Sequence, residues 1–599
     1  MPSQDSVTHE VGREQPMKEP DGPELGTSFS SSSEECTQVA TVDAQSPIIH
    51  LHLTFDTILP MARRPIPGCG DALPPCPDLH RLRRPLYWSA ARKYAILASS
   101  CVAVFLAAYA AAAYSPAAAV GMKELGTTPL VILLGTSTFC LGFGLGPMVL
   151  APASETWGRY PIFIASAAVF VGCQALTPVI RNVAGVLAAR FFVGVGASVF
   201  SIIGNGVIVD LWEEKDRNTP MALFAGFTMA GYSAGPLVAT VLVRVIDQQS
   251  LLWKWIFWHQ ACVDAAVMTA FLFLYRESRE AVVLANRARL LNKWYEELEG
   301  LGSYGVWISS ADKACSLSAS ESSLGEANDL FADNGTSLGR VQRVRWVVVE
   351  RPSVRRVMTT SILRPFYLLV MDPIVLFFSL WIAFAWGVLY LSFSVPPLLH
   401  QKDPDRSICA YGAMVAASAV GAGASITQQK LFENPQWSKH RDNACFRHTD
   451  SRFWAYVRRR FPADAPEARL YTTCITALFL PLGLLGAFVL PKYMGYAEAI
   501  GIGFAIWGIF SIYLASLNFL ADAYGAYASS ALASQNFCRN LIGGGFTLLT
   551  RVMLTNLGRQ WMGIILGCIA VVLSVTPWVL VLFGKRLRSR SKFATSLQR

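Results

Sequence analysis

The chain has 599 residues, of which 53% are hydrophobic and only 15% charged, with a mean hydropathy of +0.38. Soluble domains carry roughly 25% charged residues, so a chain this long and this apolar lacks the polar cover that a water-soluble surface needs, and lipid is its natural solvent. The net charge of +10 does not point to nucleic acid, because the Lys and Arg residues lie between the apolar runs and base-contact motifs are absent.

Residues 1–85 are rich in Ser, Glu, Pro and Gly, with SFSSSSEE at 28–35. Such a composition cannot bury enough surface to fold, and it predicts a disordered cytoplasmic tail. A basic stretch (Arg81, Arg83, Arg84, Arg92 and Lys93) abuts the first apolar run and marks the cytoplasmic side. That run starts near residue 94, too late for a signal peptide. Runs long enough to span a bilayer occur at about 94–114, 129–150, 160–180, 183–208, 220–243 and 254–275. Six more follow at about 372–398, 408–428, 471–490, 497–520, 526–550 and 560–583. The expected fold is all-α and integral to the membrane, with twelve transmembrane helices in two six-helix halves.

The expected organisation is a tail (1–85), a six-helix bundle (86–275), a cytoplasmic central loop (276–370), a second six-helix bundle (371–583) and a basic tail (584–599). Even parity puts both termini on one side, and the basic run GKRLRSRSKF at 584–593 places that side in the cytoplasm. Within the central loop, the Ser-rich stretch 315–326 reads as unstructured and the basic stretch 340–366 as lying along the bilayer surface. The sequon at Asn334 is then expected to stay unmodified. A polar insert at 429–469 is either a tolerated loop insertion or retained intron sequence. Six spans, a long loop and six spans is the arrangement of transporters whose halves rock about a midplane site.

Thirteen cysteines form no CxxC pair and no metal-like Cys/His spacing, so neither a disulfide frame nor a metal site is implied.

The string LGFGLGPMVLAPASETWGRYPIF at 141–163 resembles the major facilitator superfamily, specifically the fungal twelve-span drug:proton antiporters. Gly146, Pro147, Ala151, Pro152, Ser154, Glu155, Gly158, Arg159 and Pro161 match that group's string between helices 2 and 3, while Tyr160 stands where a second Arg is usual. RFFVGVGAS (190–198), GVIVDLWEEKDR (206–217), GYSAGPLV (231–238), WKWIFW (253–258), RPFYLLVMDPIVL (364–376), PEARLY (466–471) and LNFLADAYGAYASSALASQNFCRN (517–540) are similar to further strings of the group, in order. The resemblance covers 86–593 apart from the Ser-rich segment and the 429–465 insert. It implies a monomeric transporter of small molecules in the plasma membrane, with the vacuolar membrane as the alternative, driven by the proton gradient and without a bound cofactor.

It also implies roles for residues. The helix-5 motif with Gly231, Gly235 and Pro236 favours exchange over uniport in the group; physically, the glycines permit close helix approach and the proline a bend. The other reading of this motif is simple tight packing. Glu155, Arg159, Asp210, Arg217 and Asp522 fall at cytoplasmic helix ends, where ion pairs can latch one conformation and release in the other.

Charges at depth mark ion or substrate pathways. Arg190, in the fourth span, matches the group's proton-coupling Arg; otherwise it is a snorkelling Arg. Arg539 lies in SQNFCRN, about thirteen residues into the eleventh span, and Asn536 and Asn540 share a helix face beside it. That polar band is expected to face the protein interior, either at the substrate or as a fixed hydrogen-bond network. Asp264, in the sixth span, is the one acid placed near the midplane, a candidate for proton coupling, cation contact or structural pairing. Asn205 is a further pore candidate. Trp386 and Tyr390 in the seventh span are candidates to line a cavity by cation–π contact, against the alternative that they are packed or face lipid.

The function these features predict is proton-coupled export of small organic compounds, drug-like, polyamine-like or secondary metabolites. The competing reading is a non-transporting sensor on the same fold, which would need a folded cytoplasmic segment, and none is expected from the sequence. An enzyme is not expected: the histidines are dispersed, and no GxxxxGK[ST] string offers ATP binding.

Overall fold

The computed structural model describes residues 44–55, 82–213, 216–246, 248–301, 340–348, 354–400, 403–432, 466–490, 497–524 and 528–590, together with 57, 75, 77–79, 304 and 306–308. The Ser-rich stretch, Asn334, most of the 429–469 insert and the end of the basic tail lie outside the described residues.

The first half is built from α1 (Ala90–Ala112), α2 (Tyr114–Glu124), α3 (Pro129–Trp157), α4 (Arg159–Leu176), α5 (Val183–Leu211), α6 (Asn218–Val245) and α7 (Gln249–Leu274). Helix α8 (Glu280–Gly300) and α9 (Val354–Met371) lie between the halves in sequence. The second half contains α10 (Pro373–Ser394), α11 (Pro404–Phe432), α12 (Phe479–Phe488), α13 (Ala497–Tyr524), α14 (Ala528–Asn556), α15 (Gly558–Leu573) and α16 (Thr576–Arg590). Local chemistry sets several starts. Asn182 accepts a hydrogen bond from Ala184 N (3.1 Å) at the head of α5, and Asp372 accepts from Ile374 N (3.0 Å) ahead of Pro373 at the head of α10.

Eleven helices among the described residues are long and apolar enough to cross a membrane. The one expected span missing from these, the eleventh, is α14, which is 29 residues long but too polar on average to join them. Its two faces differ: Gln535, Asn536, Arg539, Asn540, Thr547 and Thr550 are buried, whereas Leu541, Leu549 and Val552 are about half exposed. The polar stripe is covered by protein and the apolar one is left for lipid, which averaging along the helix hides. Helix α2 lies in a stretch read as a connection between spans; its small residues Ala117, Ala118 and Gly121 let it pack beneath Trp253 and Phe257 of α7.

Gly231 and Gly235 of α6 lie against the backbone carbonyls of Phe105 and Tyr109 in α1, and a Cβ at either position would collide with them. Two seams join the halves. Along α3 and α14, Ser137 donates to Gly544 O (2.9 Å) and Asn536 Nδ2 to Phe143 O (3.1 Å). Along α6 and its neighbours, Asn518 Nδ2 donates to Asn218 Oδ1 (2.9 Å), Thr219 donates to Gln429 (2.5 Å), and Arg244 pairs with Asp405.

Outside the bundle, the structure corrects two expectations. The tail 1–85, expected to be disordered, contributes strand β1 (Ile48–His52), and the central loop contributes β2 (Val306–Ile308), β3 (Arg340–Val347) and α8. The strand order is β1-β3-β2, with β1 parallel to β3 (Ile48 beside Arg343) and β2 antiparallel to it (Val306 beside Gln342). Helix α8 buries Ala288, Leu291, Tyr295 and Leu298, a stripe at helical spacing, against Leu53, Val344 and Trp346. Asn292 brackets the Trp346 backbone, donating to its carbonyl (2.9 Å) and accepting from its N–H (2.8 Å). Polar composition concealed a small alternating pattern in 340–347, so this basic stretch is a strand and not a surface-lying segment up to 347.

Candidate functional site

A cavity of about 460 Å³ opens between the halves on the face that carries α8. Its wall is formed by the second half of α3, the last turns of α5, α13 and the first half of α14. At the mouth, Arg159 Nε pairs with Asp210 Oδ2 at 2.8 Å, with both side chains under 10% exposed, and Arg279 approaches the other carboxylate oxygen at 3.8 Å. The Arg159 guanidinium lies against Gly206, where any side chain would displace it.

The turn that delivers Arg159 depends on Gly158, whose φ of +104° is strained for any residue with a Cβ. Glu277 fills the space beside it and accepts hydrogen bonds from the N–H groups of Arg159 and Tyr160, both at 3.1 Å. A carboxylate on the first N–H groups of α4 satisfies donors that the helix leaves open. Tyr160, standing where a second Arg was expected, donates to Leu272 O (3.1 Å) and stacks on Tyr275.

The other mouth residues divide. Glu155 is exposed at the rim, and Pro147 and Arg217 line the cavity. Ser154 is buried and donates to Ala151 O within its own helix (2.7 Å), and Gly146 packs on Ser198. Asp522 is not part of this wall; it pairs with Arg469 at 3.2 Å in the second half. Gly231, Gly235 and Pro236 also stand apart from the cavity, in the α1–α6 contact.

Arg539 forms the deep end with Gln535 and Asn536, and Asn205 lines the approach. Arg539 donates to Asn536 Oδ1 from Nε (3.1 Å) and Nη2 (2.8 Å), and Asn540 Nδ2 reaches the same oxygen (3.0 Å). The guanidinium carbon sits 4.5 Å from the centre of the Trp386 ring and 5.0 Å from that of Tyr513. Trp386 and Tyr390 also meet Tyr232 of the first half edge-on, at 5.8 and 5.9 Å. These rings therefore plug the centre of the molecule and hold Arg539, and they do not line an open aromatic cavity. Tyr232 and Tyr513 were missed from the sequence: aromatics are common in spans, and no local spacing says which ones meet across halves.

On the opposite face a second cavity of about 320 Å³ is lined by Met122, Ile132, Ser394, Thr547, Thr550 and Arg551 among others. Its floor includes a Ser115–Ser394 hydroxyl contact of 3.1 Å. Arg539 and Thr547 are eight residues apart on α14, about 12 Å along the axis. The two cavities thus approach the same plug from opposite ends.

Arg190 and Asp264 lie outside both cavities. Arg190 is fully buried, donates from Nη2 to Ala110 O (3.1 Å) and from Nε to Gly135 O (3.4 Å), and is flanked by the rings of Tyr114 and Phe139. Asp264 is equally buried, and neither of its oxygens has a hydrogen-bond partner among the described residues. The two do not form the ion pair that a shared proton site would suggest.

Residues 100–548 match the Major Facilitator Superfamily. The chain is 28% identical over 516 residues to an MFS-type efflux pump, MFS2, of Trichophyton rubrum, covering 86% of this chain and 76% of that protein. It is 25% identical over 512 residues to the multidrug transporter FLU1 of Candida albicans, covering 83% and 73%. In fold it is similar to the xylose transporter XylE of E. coli in a partially occluded inward-open conformation, with a TM-score of 0.52 at 11% identity, covering 82% of this chain and 98% of that one. With its membrane-spanning helices, its central cavity and a match across most of its length, the chain belongs to the Major Facilitator Superfamily, a family of transporters and not of enzymes.

Proposed function

We propose that the protein is a secondary active exporter that moves small organic compounds out of the cytoplasm in exchange for protons. The observation that carries this reading is a pair of cavities on opposite faces, one ending on the Arg539 plug and the other lined by Thr547 and Thr550 further along α14. A solute entering from the α8 face reaches Arg539, and closure of that mouth with opening of the Ser115–Ser394 floor would release it on the other side. The Arg159–Asp210–Arg279 cluster is then the latch of the mouth. The α8 face is cytoplasmic in this reading, in keeping with the basic residues before α1 and after α16.

Coupling needs an acid that changes protonation as the halves move. Asp264 is our candidate, since an unpartnered buried carboxyl group is costly when charged and is open to a proton. Arg190 stands as a fixed cation within the same half. The name of the fungal relative MFS2, an efflux pump, supports the direction of transport.

The test is efflux of a compound panel from cells with and without the protein at two external pH values. Protein-dependent efflux that strengthens at the lower external pH is the expected outcome. Equal accumulation of every compound in both cells would refute export.

One observation favours a second reading, a membrane sensor: the folded α8–sheet unit supplies the structured segment such a protein needs. Deletion of 44–55, which removes β1, should spare efflux if transport is the function.

A further inference from the structure

The cavity wall is unbalanced in charge. Four guanidinium groups (Arg159, Arg217, Arg279 and Arg539) face two carboxylates, Glu155 and Asp210. Asp210 is already engaged by Arg159 and Arg279, and both acids sit at the mouth. At the deep end there is a cation and no acid. Among the described residues Arg539 makes no ion pair, its two bonded nitrogens share one neutral amide oxygen, and Nη1 makes no hydrogen bond. Beside it, Gln535 is 1% exposed, lines the cavity, and has an amide Nε2 with no partner among the described residues.

The ring faces of Trp386 and Tyr513 hold the guanidinium in place by cation–π attraction, which steadies a cation without neutralising it. Donors without acceptors in a low-dielectric pocket favour an anion and repel a second cation. Ile202, Met221, Leu517 and Leu532 supply an apolar wall for a carbon skeleton. Arg190 does not offer the same site, since it lies outside both cavities; its Nε and Nη2 bond two backbone carbonyls, and its Nη1 is buried without a partner among the described residues.

Building on the transport reading of this cavity, we infer that its deep end binds the anionic group of a compact amphiphilic organic acid, a carboxylate on an aromatic or aliphatic skeleton, with Arg539 and Gln535 as the donors. A polyamine or other polycation is disfavoured there, because the one acid buried at depth in the first half, Asp264, lies outside the lining.

Three probes with one skeleton test this on the full-length protein in nanodiscs: 2-naphthoate, 2-naphthamide and 2-naphthylmethylammonium, by equilibrium dialysis. Naphthoate is expected to bind about tenfold or more tighter than the amide, the size of one charge-assisted hydrogen bond, and the ammonium more weakly than either. Arg539→Gln should erase the preference for the acid, with the thermal midpoint of the variant reporting on folding. Arg539→Lys should keep part of the preference, since an ammonium lacks the planar fork.

The inference is overturned if the ammonium binds tightest, if acid and amide bind alike, if the preference survives Arg539→Gln, or if naphthoate fails to bind at millimolar concentration. Should both substitutions unfold the protein, the wild-type order of affinities decides. Flux in proteoliposomes separates the two readings. Acid binding with no flux of any probe defeats transport and leaves the site, whereas flux of the ammonium alone defeats the site and leaves transport.

Discussion

Arg190 and Arg539 are both buried, both flanked by two aromatic rings and both without an ion pair among the described residues, yet they sit in different surroundings. Arg190 ties α5 to the backbone of α1 and α3, and neither of the two cavities reaches it. Arg539 is steadied by an amide and two rings, and an open cavity ends on it. The difference teaches that a charge at depth identifies a candidate, while access determines what the charge can do. A third buried arginine, Arg159, completes the comparison because it alone of the three has an acid, Asp210.

The largest effect is expected where pairing is broken. Asp210→Ala leaves Arg159 buried and uncompensated, a loss of about 3–5 kcal/mol, visible as a marked fall in the thermal midpoint of the purified protein. Adding Arg159→Met should restore much of that loss; if the double variant is no more stable than the single one, the pair does not act as a unit. Next comes Gly158→Ala, which forces a side chain into positive φ against Glu277. A loss of about 1–3 kcal/mol is expected, read by the same melt, and an unchanged midpoint would show that the turn relaxes freely.

A smaller effect, confined to acid pH, is expected outside the membrane. Glu299 accepts a bidentate hydrogen bond from Arg343 (3.1 and 3.0 Å), which holds its carboxyl below the usual 4.5. A lowered folded-state value means stability that is present above pH 4.5 and lost as pH falls below it. Hydrogen exchange in α8 and β3 should therefore accelerate on acidification below that point, and Glu299→Gln should flatten the response. Exchange that is independent of pH in the wild type, after correction for intrinsic rates, would contradict it.

Arg190→Met should change least in binding. The substitution removes a cation that lies outside both cavities, so 2-naphthoate affinity should stay within about twofold. Loss of pH-driven efflux with binding intact would sharpen the contrast between the two arginines. Loss of the acid preference, as predicted for Arg539→Gln, would break it.

Most of the bundle was legible because a span must be apolar for about twenty residues. Runs such as 183–208 and 220–243 ended within a few residues of α5 and α6. The polar band of α14 was legible too, since Asn536, Arg539 and Asn540 cannot face lipid. What lies around that band was not. Tyr513, Trp386 and Tyr232 come from three helices that only the packed halves bring together. Glu277 also escaped notice, because a cap on α4 from a residue more than a hundred positions later leaves no local pattern. The strands were hidden for a different reason: β1 and β3 are short, polar on one side and nearly three hundred residues apart.

The most direct test of the two-cavity account is a pair of distances measured by electron–electron resonance in a cysteine-depleted protein. One pair of labels, at Glu155 and Ser529, spans the mouth on the α8 face; the other, at Met122 and Leu398, spans the opposite cavity. Adding 2-naphthoate and a proton gradient should shorten the first distance and lengthen the second. Two distances that stay fixed, or that move in the same direction, would contradict alternating access through the Arg539 plug.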